Sequence, residues 1–388
     1  MVCNMRFALH PQRIFTATGI ETDRYVIVAG GEIEQITVER PVDCEVIELD
    51  NQTLLPGLID IHIHGRAGSD VMDATEAALQ TISDALPQTG VVAWVGTTVT
   101  APWQDILAAL EQVRYFTAGS HSGAQLLGSF LEGPYFTEAY RGSHPTTYLK
   151  APTIAELTEL QQVAGQSLLR VALAPEYDGA MSAIDWLTER GIKTSVAHTS
   201  ANFEQVTQAY QAGADCGVHL FNGMLGLHHR EPGCCGAVLY HDMLAELIAD
   251  GIHVHPVMMQ LAYRMKGYQK LALITDCMRA GGLSDGEYLL GAQMIQVTQG
   301  EARTQDGSLA GSTCSLDQAL RNMIFSVGVN EWEAVQMASL VPAQYINKAS
   351  ELGSIAVGKR ASFAVVDSDF VIQSTMIDGQ WAFKRSAY

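Results

Sequence analysis

Eight short apolar runs, rich in β-branched residues, recur through the middle of the chain and alternate with helix-like stretches. Near-continuous apolar strands that alternate with helices indicate a parallel sheet covered on both faces. Eight such units within about 220 residues predict an α/β fold, a closed (β/α)8 TIM-like barrel. The predicted strands are 58–62, 91–98, 126–132, 168–174, 194–198, 216–219, 244–250 and 270–276.

The stretches between these strands carry helix start and stop signals. Thr153 and Glu156 have the spacing of a capping box, and a second helix at 201–210 runs to a terminating Gly213. An open doubly wound sheet is the structural alternative, and it would more often show a glycine fingerprint after its first strand. The sequence has no such fingerprint, which favours the barrel.

The two ends of the chain resemble each other in texture and differ from the middle. Short β segments are predicted at 24–29, 33–37, 45–49, 362–366 and 381–384. We therefore expect one small, discontinuous β-sandwich domain formed by residues 1–54 and 355–388. Residues 55–354 would then form the catalytic barrel.

Charge and hydropathy exclude several classes of partner. The chain has 388 residues and a formal net charge of −19 at pH 7. This acidic balance argues against nucleic-acid binding, which needs basic side chains to neutralise phosphates. No apolar run reaches the length of about 18 residues that a membrane span requires, and residues 1–10 lack the pattern of a secretory signal. We therefore expect a cytoplasmic protein that does not bind membranes.

The cysteines are scattered without a CxxC pair, and the neighbours Cys234 and Cys235 would form a disulfide only with strain. An odd number without paired spacing is not typical of a disulfide framework or of a cysteine-rich zinc site. We expect free thiols at Cys3, Cys44, Cys216, Cys234, Cys235, Cys277 and Cys314.

Imidazole and carboxylate side chains lie where the active site of a barrel would be, at the C-terminal ends of the strands. One strand supplies His62 and His64, whose period-two spacing puts both imidazoles on one strand face, where they can chelate a single ion. Nitrogen and oxygen donors without a thiolate suit a divalent transition metal such as Zn, Fe, Co, Ni or Mn. The six strand-end residues are His62, His64, Glu132, His198, His219 and Asp276.

The segment PGLIDIHIHG, followed by distant strand-end histidines and a strand-eight aspartate, resembles the amidohydrolase superfamily. Within that superfamily the chain resembles the N-acetylglucosamine-6-phosphate deacetylase family over nearly its whole length. The motifs that carry this resemblance are LEGPYF, VAHTSA, HLFNGM, REPG, ADGIHV, ITDCMRAGG, GSLAGS and GSIAVGKRASFAVVD. The resemblance implies a metal-dependent hydrolase that releases acetate from a phosphorylated N-acetylated amino sugar.

The resemblance also implies a centre with one or two divalent ions per subunit, zinc being the first expectation. Glu132, His198 and His219 would hold the principal ion. His62 and His64, with Glu132 bridging, would allow a second ion. Some family members lack this histidine pair and work with one metal.

Two residues would act on the amide bond. By resemblance, Asp276 would be the general base, and His144 would polarise the acetamide carbonyl beside the metal. A single carboxylate can take a proton from water and deliver it to the leaving amine. A histidine beside a metal can stabilise the oxyanion that develops on the carbonyl oxygen.

Four further positions match substrate contacts of the family. Asn222 and Gly223 would contact the substrate, and His253 would contact the sugar or the phosphate. Arg230 would bind the phosphate, in some relatives across the interface of a homodimer. An arginine suits this task because its planar fork donates two charge-assisted hydrogen bonds.

Other functions stay open at this point. An N-acetylgalactosamine-6-phosphate deacetylase would differ only in how its pocket receives the 4-hydroxyl, which the sequence does not decide. Many cyclic amidohydrolases bridge two metals with a carbamylated lysine after strand four, where this chain has Leu173-Ala-Pro-Glu176 and no lysine. A non-catalytic metal-binding barrel is the more remote alternative, and such a protein could lose Asp276 freely.

Overall fold

The computed structural model describes residues 6–386, and it begins with strands of a sheet that both chain ends share. The first five strands are β1 (Arg6–Phe15), β2 (Ile20–Thr22), β3 (Tyr25–Ala29), β4 (Glu32–Thr37) and β5 (Glu45–Pro56). Strand β1 pairs antiparallel with β2 and β3 and parallel with β5. The sequence pattern does not predict β1, because Pro11 and Arg13 interrupt its apolar alternation.

Eight parallel strands then form the barrel, as the alternating apolar runs predict, and each pairs with the next barrel strand along the chain. They are β6 (Leu58–Ile63), followed by a short hairpin of β7 (Gly65–Arg66) and β8 (Ser69–Asp70), then β9 (Val91–Thr97), β10 (Gln125–Leu131), β11 (Leu168–Leu173), β12 (Lys193–Val196), β13 (Cys216–Gly217), β14 (Leu244–Ile248) and β15 (Leu271–Ile274). The ring closes where the N–H of Asp276 donates to the carbonyl of His62 at 2.9 Å and Ile63 bridges Cys277. The ends of the first and last strands therefore lie side by side.

Helices cover the outside of the barrel between its strands, and within residues 6–386 three more helices follow the last barrel strand, β15. They are α1 (Glu76–Ala85), α2 (Trp103–Ala118), α3 (Ile154–Ala164), α4 (Ala180–Thr188), α5 (Phe203–Ala212), α6 (Gly233–Tyr240), α7 (Pro256–Lys266), α8 (Leu316–Arg321), α9 (Glu331–Ala338) and α10 (Leu340–Tyr345). Helix α8 continues as a π-helical turn, Asn322–Val327. None of the helices within residues 6–386 is long and apolar enough to cross a membrane.

The helix signals are only partly used as predicted. At α3, Thr153 accepts from the N–H of Glu156, but the Glu156 carboxylate binds Lys150 instead of returning to the cap, so half of the capping box forms. The second predicted helix is α5, which begins two residues later than expected and ends at Gly213 in the left-handed region. Its start is fixed by a complete capping box between Asn202 and Gln205.

An excursion that the sequence pattern does not predict separates the last barrel strand from α8. It is a three-stranded antiparallel sheet of β16 (Gly286–Leu290), β17 (Gln293–Thr298) and β18 (Glu301–Thr304). Its own small core includes Leu290 and Ile295 and packs against Val99 and Met278 of the barrel. This sheet therefore stands on the same end of the barrel as the strand-end side chains.

The chain returns to the first sheet at its end. Strands β19 (Phe363–Val366), β20 (Ile372–Ile377) and β21 (Gln380–Lys384) extend that sheet, with β19 antiparallel to β5. As predicted, strands from both termini form one unit, and its core includes Phe7, Val26 and Phe363. The boundaries 1–54, 55–354 and 355–388 stay a proposal. Strand β5 of the terminal sheet continues past residue 54 to Pro56, where it still pairs with Phe363 of β19.

The cysteines are free thiols as expected, and Cys3 lies outside the described residues. Five of them, Cys216, Cys234, Cys235, Cys277 and Cys314, are buried, and Cys44 is half-buried. Burial raises the pKa of Cys277 to about 11, and a thiol of this kind stays protonated and unreactive near neutral pH.

A substitution of Phe370 tests whether the terminal sheet and the barrel share one core. Its ring is fully buried and meets Phe15 edge-on at 6.1 Å, within the same apolar cluster as the barrel helices. We expect Phe370→Ala to lower the free energy of unfolding by about 3–5 kcal/mol in a urea titration, because a large buried ring leaves a cavity. The control Tyr115→Ala removes an exposed ring on α2 and should cost no more than about 1 kcal/mol. A similar small loss for both variants would contradict a shared core.

Candidate metal centre and active site

Three of the strand-end residues are held in an uncommon backbone conformation. The φ angles of His198, His219 and Asp276 are +44°, +32° and +49°, in the left-handed region that non-glycine residues rarely adopt. Such a conformation persists only where the surroundings hold it, and it is frequent at functional sites. Each of the three residues lies two positions beyond the end of its strand, and its side chain lies at the mouth of the barrel.

Glu132 lies between two groups of histidines and offers one carboxylate oxygen to each. Its Oε2 lies 3.4 Å from Nε2 of His62 and 3.1 Å from Nε2 of His64. Its Oε1 lies 3.6 Å from Nε2 of His198 and 3.1 Å from Nε2 of His219. The structure therefore brings all five of these predicted residues together, with Glu132 as the shared member.

The far nitrogen of each of three imidazoles faces a backbone carbonyl. The contacts are His64 Nδ1 to Thr97 O at 3.1 Å, His198 Nδ1 to Tyr140 O at 2.9 Å and His219 Nδ1 to Asn222 O at 3.0 Å. A carbonyl oxygen only accepts, so Nδ1 carries a proton in each ring, and Nε2 is the nitrogen that can offer a lone pair to a bound cation. In proteins this arrangement is typical of histidines that bind metal ions.

His62 is oriented in the same way, but by a side chain. Its Nδ1 lies 3.0 Å from Oε2 of Glu246, and its buried Nε2 has no hydrogen-bond partner among residues 6–386. Nε2 points instead to Oε2 of Glu132 and to Oδ1 of Asp276, which is 3.5 Å away. A buried imidazole nitrogen without a partner, surrounded by carboxylates, fits a position where a cation binds.

The spacing of the donor atoms also fits a divalent metal. Ligand atoms on a tetrahedral ion such as zinc, at about 2.0–2.1 Å, lie roughly 3.3 Å from one another. The contacts in the cluster range from 3.0 Å, between His64 Nε2 and Asp276 Oδ1, to 3.6 Å, between His198 Nε2 and Glu132 Oε1. Two sets of donors can each surround an ion: His62, His64, Glu132 and Asp276; and Glu132, His198 and His219.

Asp276 is ionised in this environment and partly open to the cavity. Burial would raise its pKa, but the neighbouring His62 and His64 lower it below the ordinary value of an aspartate. The side chain of Asp276 is 13% exposed, whereas the side chains of Glu132 and His64 are each 3% exposed. Asp276 is therefore a carboxylate that a small molecule in the cavity can reach.

His144 comes from a loop between two short 3₁₀ turns, Glu138–Tyr140 and Thr146–Tyr148, and enters the cluster beside His198. Its Nδ1 lies 2.8 Å from Oγ1 of Thr100 and accepts from the N–H of Thr100 at 3.4 Å. Burial and the neighbouring His198 hold the pKa of His144 well below its usual value. His144 is thus neutral, with its proton on Nε2.

A cavity of about 190 Å³ opens over the cluster. Its lining includes, of the predicted residues, His64, Glu132, His144, His198, His219, Asn222, Gly223, His253 and Asp276. The wall is completed by Gly142 and Ser143 from the loop that carries His144, by Leu290 of β16, and by Ser308, Leu309 and Gly311, which follow β18. His62 lies beneath this surface, in contact with the cluster but not with the cavity.

The turn after strand six fits closely around His198. Gly223 has a φ of +57°, and a Cβ placed on it would lie 2.7 Å from Nδ1 of His198, so an alanine would displace the ring. The side-chain nitrogen Nδ2 of Asn222 donates to the backbone carbonyls of His219 and Leu220, both at 3.3 Å. This turn therefore positions two histidines as well as lining the cavity.

The two positions predicted to contact the sugar or its phosphate, His253 and Arg230, differ in their placement. Nδ1 of His253 lies 2.6 Å from the Asp250 carboxylate, and His253 reaches the cavity wall. Arg230 lies on an exposed loop, where it contacts His229 at 2.8 Å, and it is not part of the cavity lining. The structure of one chain therefore does not bring Arg230 to the cluster.

Sequence reasoning missed the polar residues inside the barrel. Arg170 on β11 and Glu246 on β14 are fully buried, and Nη1 of Arg170 lies 2.6 Å from Oε1 of Glu246. Asp60 on β6 joins the first and last strands by accepting from Thr275 Oγ1 at 2.6 Å. A charged residue within an otherwise apolar strand, as in LLRVAL and LAELI, was the signal that could have revealed the first two.

Glu176 follows β11 and binds the loop after β12. Its carboxylate accepts from the hydroxyl of Thr199, and from the N–H and hydroxyl of Ser200 at 2.6 and 2.9 Å. Glu132 on strand three is instead the carboxylate placed between the two histidine groups.

Comparisons with known proteins agree with this geometry. The model of the amidohydrolase family matches residues 53–382. An N-acetylglucosamine-6-phosphate deacetylase of Vibrio furnissii is 45% identical over 90% of this chain and 88% of the relative. An N-acetylgalactosamine-6-phosphate deacetylase of Escherichia coli O157:H7 is 43% identical over 97% of this chain and 100% of the relative. The crystal structure of an N-acetylglucosamine-6-phosphate deacetylase from Pasteurella multocida superposes with a TM-score of 0.93 at 27% identity, over 97% of this chain and 99% of that one. The chain therefore belongs to the amidohydrolase family.

Proposed function

We propose that the chain hydrolyses the acetamide of N-acetylglucosamine 6-phosphate, with water, to glucosamine 6-phosphate and acetate. The observation that carries this proposal is the placement of Glu132 between two sets of imidazoles, below a cavity that Asp276 and His144 share. Relatives and structural neighbours that bear the name of this activity support it.

The donor set supports one or two divalent transition-metal ions, with zinc as our first expectation and Fe, Co, Ni or Mn as others. Glu132, His198 and His219 would hold the principal ion, and His62 and His64 would hold a second ion that shares Glu132. When bound, such a metal lowers the pKa of water and polarises a carbonyl oxygen.

Asp276 would move the proton between water and the leaving amine. Its Oδ1 is 3.0 Å from Nε2 of His64, and its carboxylate is ionised and faces the cavity, so it can accept a proton from a water beside it. An amine leaves readily only after its nitrogen is protonated, and the same carboxyl group can deliver that proton. One residue then performs both proton transfers.

His144 would bind the carbonyl oxygen of the acetamide. Because Thr100 donates its N–H to Nδ1, the proton of the neutral ring is on Nε2, which makes Nε2 a hydrogen-bond donor. A fixed neutral donor stabilises negative charge that develops on that oxygen without first losing a proton of its own.

The sugar phosphate would be held by residues around the cavity rim. Asn222, Gly223 and His253 line the cavity, and Arg230 would reach a phosphate only from a second copy of the chain. We therefore propose a homodimer in which each Arg230 completes the partner's site. We propose that this dimer works in the cytoplasm, where phosphorylated amino sugars are metabolised.

Acetate release from N-acetylglucosamine 6-phosphate and N-acetylgalactosamine 6-phosphate, compared on metal-analysed protein, tests the proposal. We expect release from both substrates to depend on bound metal, with a higher kcat/KM for the glucosamine epimer. No acetate from either sugar by protein that contains metal would refute the proposed activity.

Preference for the galactosamine epimer would establish the second candidate function. The observation that favours it is the relative from Escherichia coli O157:H7, which is named for that substrate and matches along its entire length at 43% identity. The two substrates differ only in the configuration of the 4-hydroxyl.

The role of Asp276 can be tested with Asp276→Asn. We expect turnover to fall by roughly 10²–10⁴-fold, because the amide cannot take the proton, while metal content measured by elemental analysis stays the same. Asp185→Asn, an exposed carboxylate on α4, should leave the rate unchanged. A rate for Asp276→Asn close to that of the wild type would show that another group is the base.

The role of Arg230 can be tested with Arg230→Ala and two substrates. We expect KM for the phosphorylated sugar to rise at least 10-fold while hydrolysis of unphosphorylated N-acetylglucosamine changes little, because only the phosphate needs the guanidinium. Arg190→Ala, at the opposite end of the barrel, is the matched control. Equal losses on both sugars, or a wild-type chain that is monomeric by sedimentation, would remove Arg230 from the phosphate site.

A further inference from the structure

His62 differs from the other three histidines of the cluster in what orients its ring. Backbone carbonyls face Nδ1 of His64, His198 and His219, whereas Nδ1 of His62 faces the side chain of Glu246 at 3.0 Å. The tautomer of His62 therefore depends on a single side chain from another strand.

Glu246 contacts both groups of donor residues from below. It is fully buried on β14, and its Oε2 accepts from Nδ1 of His62 and, at 3.4 Å, from the backbone N–H of His219. The backbone of His219 is in the left-handed region at that point, with a φ of +32°. One carboxylate thus steadies a side chain in the first group and the backbone of a residue in the second.

Arg170 holds the carboxylate in place. Its Nη1 lies 2.6 Å from Oε1 of Glu246 and donates to the carbonyl of Ile61 at 3.0 Å. Its Nη2 donates to Ser195 at 3.1 Å, and its guanidinium lies 4.0 Å from the ring centre of Phe130. Rotation of Glu246 away from His62 would leave a buried charge without its partner, which is strongly unfavourable.

We propose that Glu246, held by Arg170, is a positioning residue that keeps a proton of His62 on Nδ1 and turns Nε2 toward Glu132 and Asp276, where its lone pair would bind an ion shared with these carboxylates. A carboxylate oxygen only accepts, so it selects the tautomer with Nδ1–H. In the other tautomer Nε2 carries the proton and cannot bind a metal ion. The inference rests on the proposed function, because it assigns His62 to the second ion. It implies that the affinity for this ion depends on a buried residue inside the barrel.

Two double variants that differ at one position separate orientation from charge. Arg170→Met/Glu246→Leu removes both charges and the acceptor that faces His62. Arg170→Met/Glu246→Gln also removes both charges but keeps a carbonyl oxygen as the acceptor. Both charges are removed together because a buried pair replaced by neutral side chains of similar volume often keeps its stability, whereas one unpaired charge does not.

The variants are compared by two measurements that do not require catalysis. Nitrogen-15 NMR of histidine-labelled, metal-free protein, followed to alkaline pH until the imidazole of His62 has lost its second proton, reports the tautomer of His62; its signal is assigned by its loss in His62→Gln. Titration with Zn²⁺ against a competing chelator gives the number and affinity of bound ions. We expect the wild type and the glutamine variant to keep Nδ1–H and a second ion. The leucine variant should populate Nε2–H and bind the second ion about 10–100-fold more weakly.

Equal tautomer populations and equal zinc affinities in the leucine and glutamine variants would overturn the proposal. A wild-type chain that binds a single ion would overturn it as well. If thermal unfolding shows that the leucine variant is not folded, Arg170→Leu/Glu246→Met takes its place in the same comparison. Failure of the proposed function is distinguishable, because it would appear as absent acetate release by the wild type while the tautomer and zinc measurements still differ between variants.

Discussion

The contact between the first and last barrel strands is the constraint on which the site depends. The N–H of Asp276 donates to the carbonyl of His62, and Thr275 donates to the buried carboxylate of Asp60. Asp60 is fully buried at this seam, and its burial raises its pKa to about 6. Because the two strands meet in this register, the histidine pair and the aspartate face one another at 3.0–3.5 Å.

The centre of the barrel is polar directly beneath this seam, which is costly. A buried ion pair such as Arg170 with Glu246 contributes little net stability, since desolvation of both charges offsets their attraction. Apolar side chains could fill the same volume. The pair instead acts as a rigid support. The aromatic rings of Phe130 and Tyr345 flank the guanidinium of Arg170, and the guanidinium in turn lies 2.6 Å from the carboxylate of Glu246. Stability is supplied elsewhere, by the apolar layer between strands and helices.

The sequence predicted the parts that repeat or that follow from strand geometry, and missed the parts that depend on tertiary contacts. The alternation of apolar runs predicted all eight barrel strands, and the position of Glu132 at a strand end predicted its place in the cluster. The excursion at β16–β18 and the strand β1 have no periodic signal strong enough to identify them. The charge within an apolar strand marks Glu246 as a residue of interest, but its partner His62 could not be identified from sequence, because it lies 184 residues away. Arg230 remains a prediction, since its site would include a second chain.

The metal-binding residues lie at strand ends and much of the cavity rim lies on loops, an arrangement that is compatible with the different substrates named for two relatives, which are 43% and 45% identical to this chain. The donor atoms and Asp276 sit on strand ends, where the closed ring fixes their distances. The 4-hydroxyl and the phosphate of a sugar would lie further out, against the loop that carries His144, the small sheet that contributes Leu290, and the segment before Arg230. Loops accept changes in length and sequence more readily than strands do. Selectivity between epimers can therefore change while the hydrolytic centre, and the buried carboxylate that supports it, stays the same.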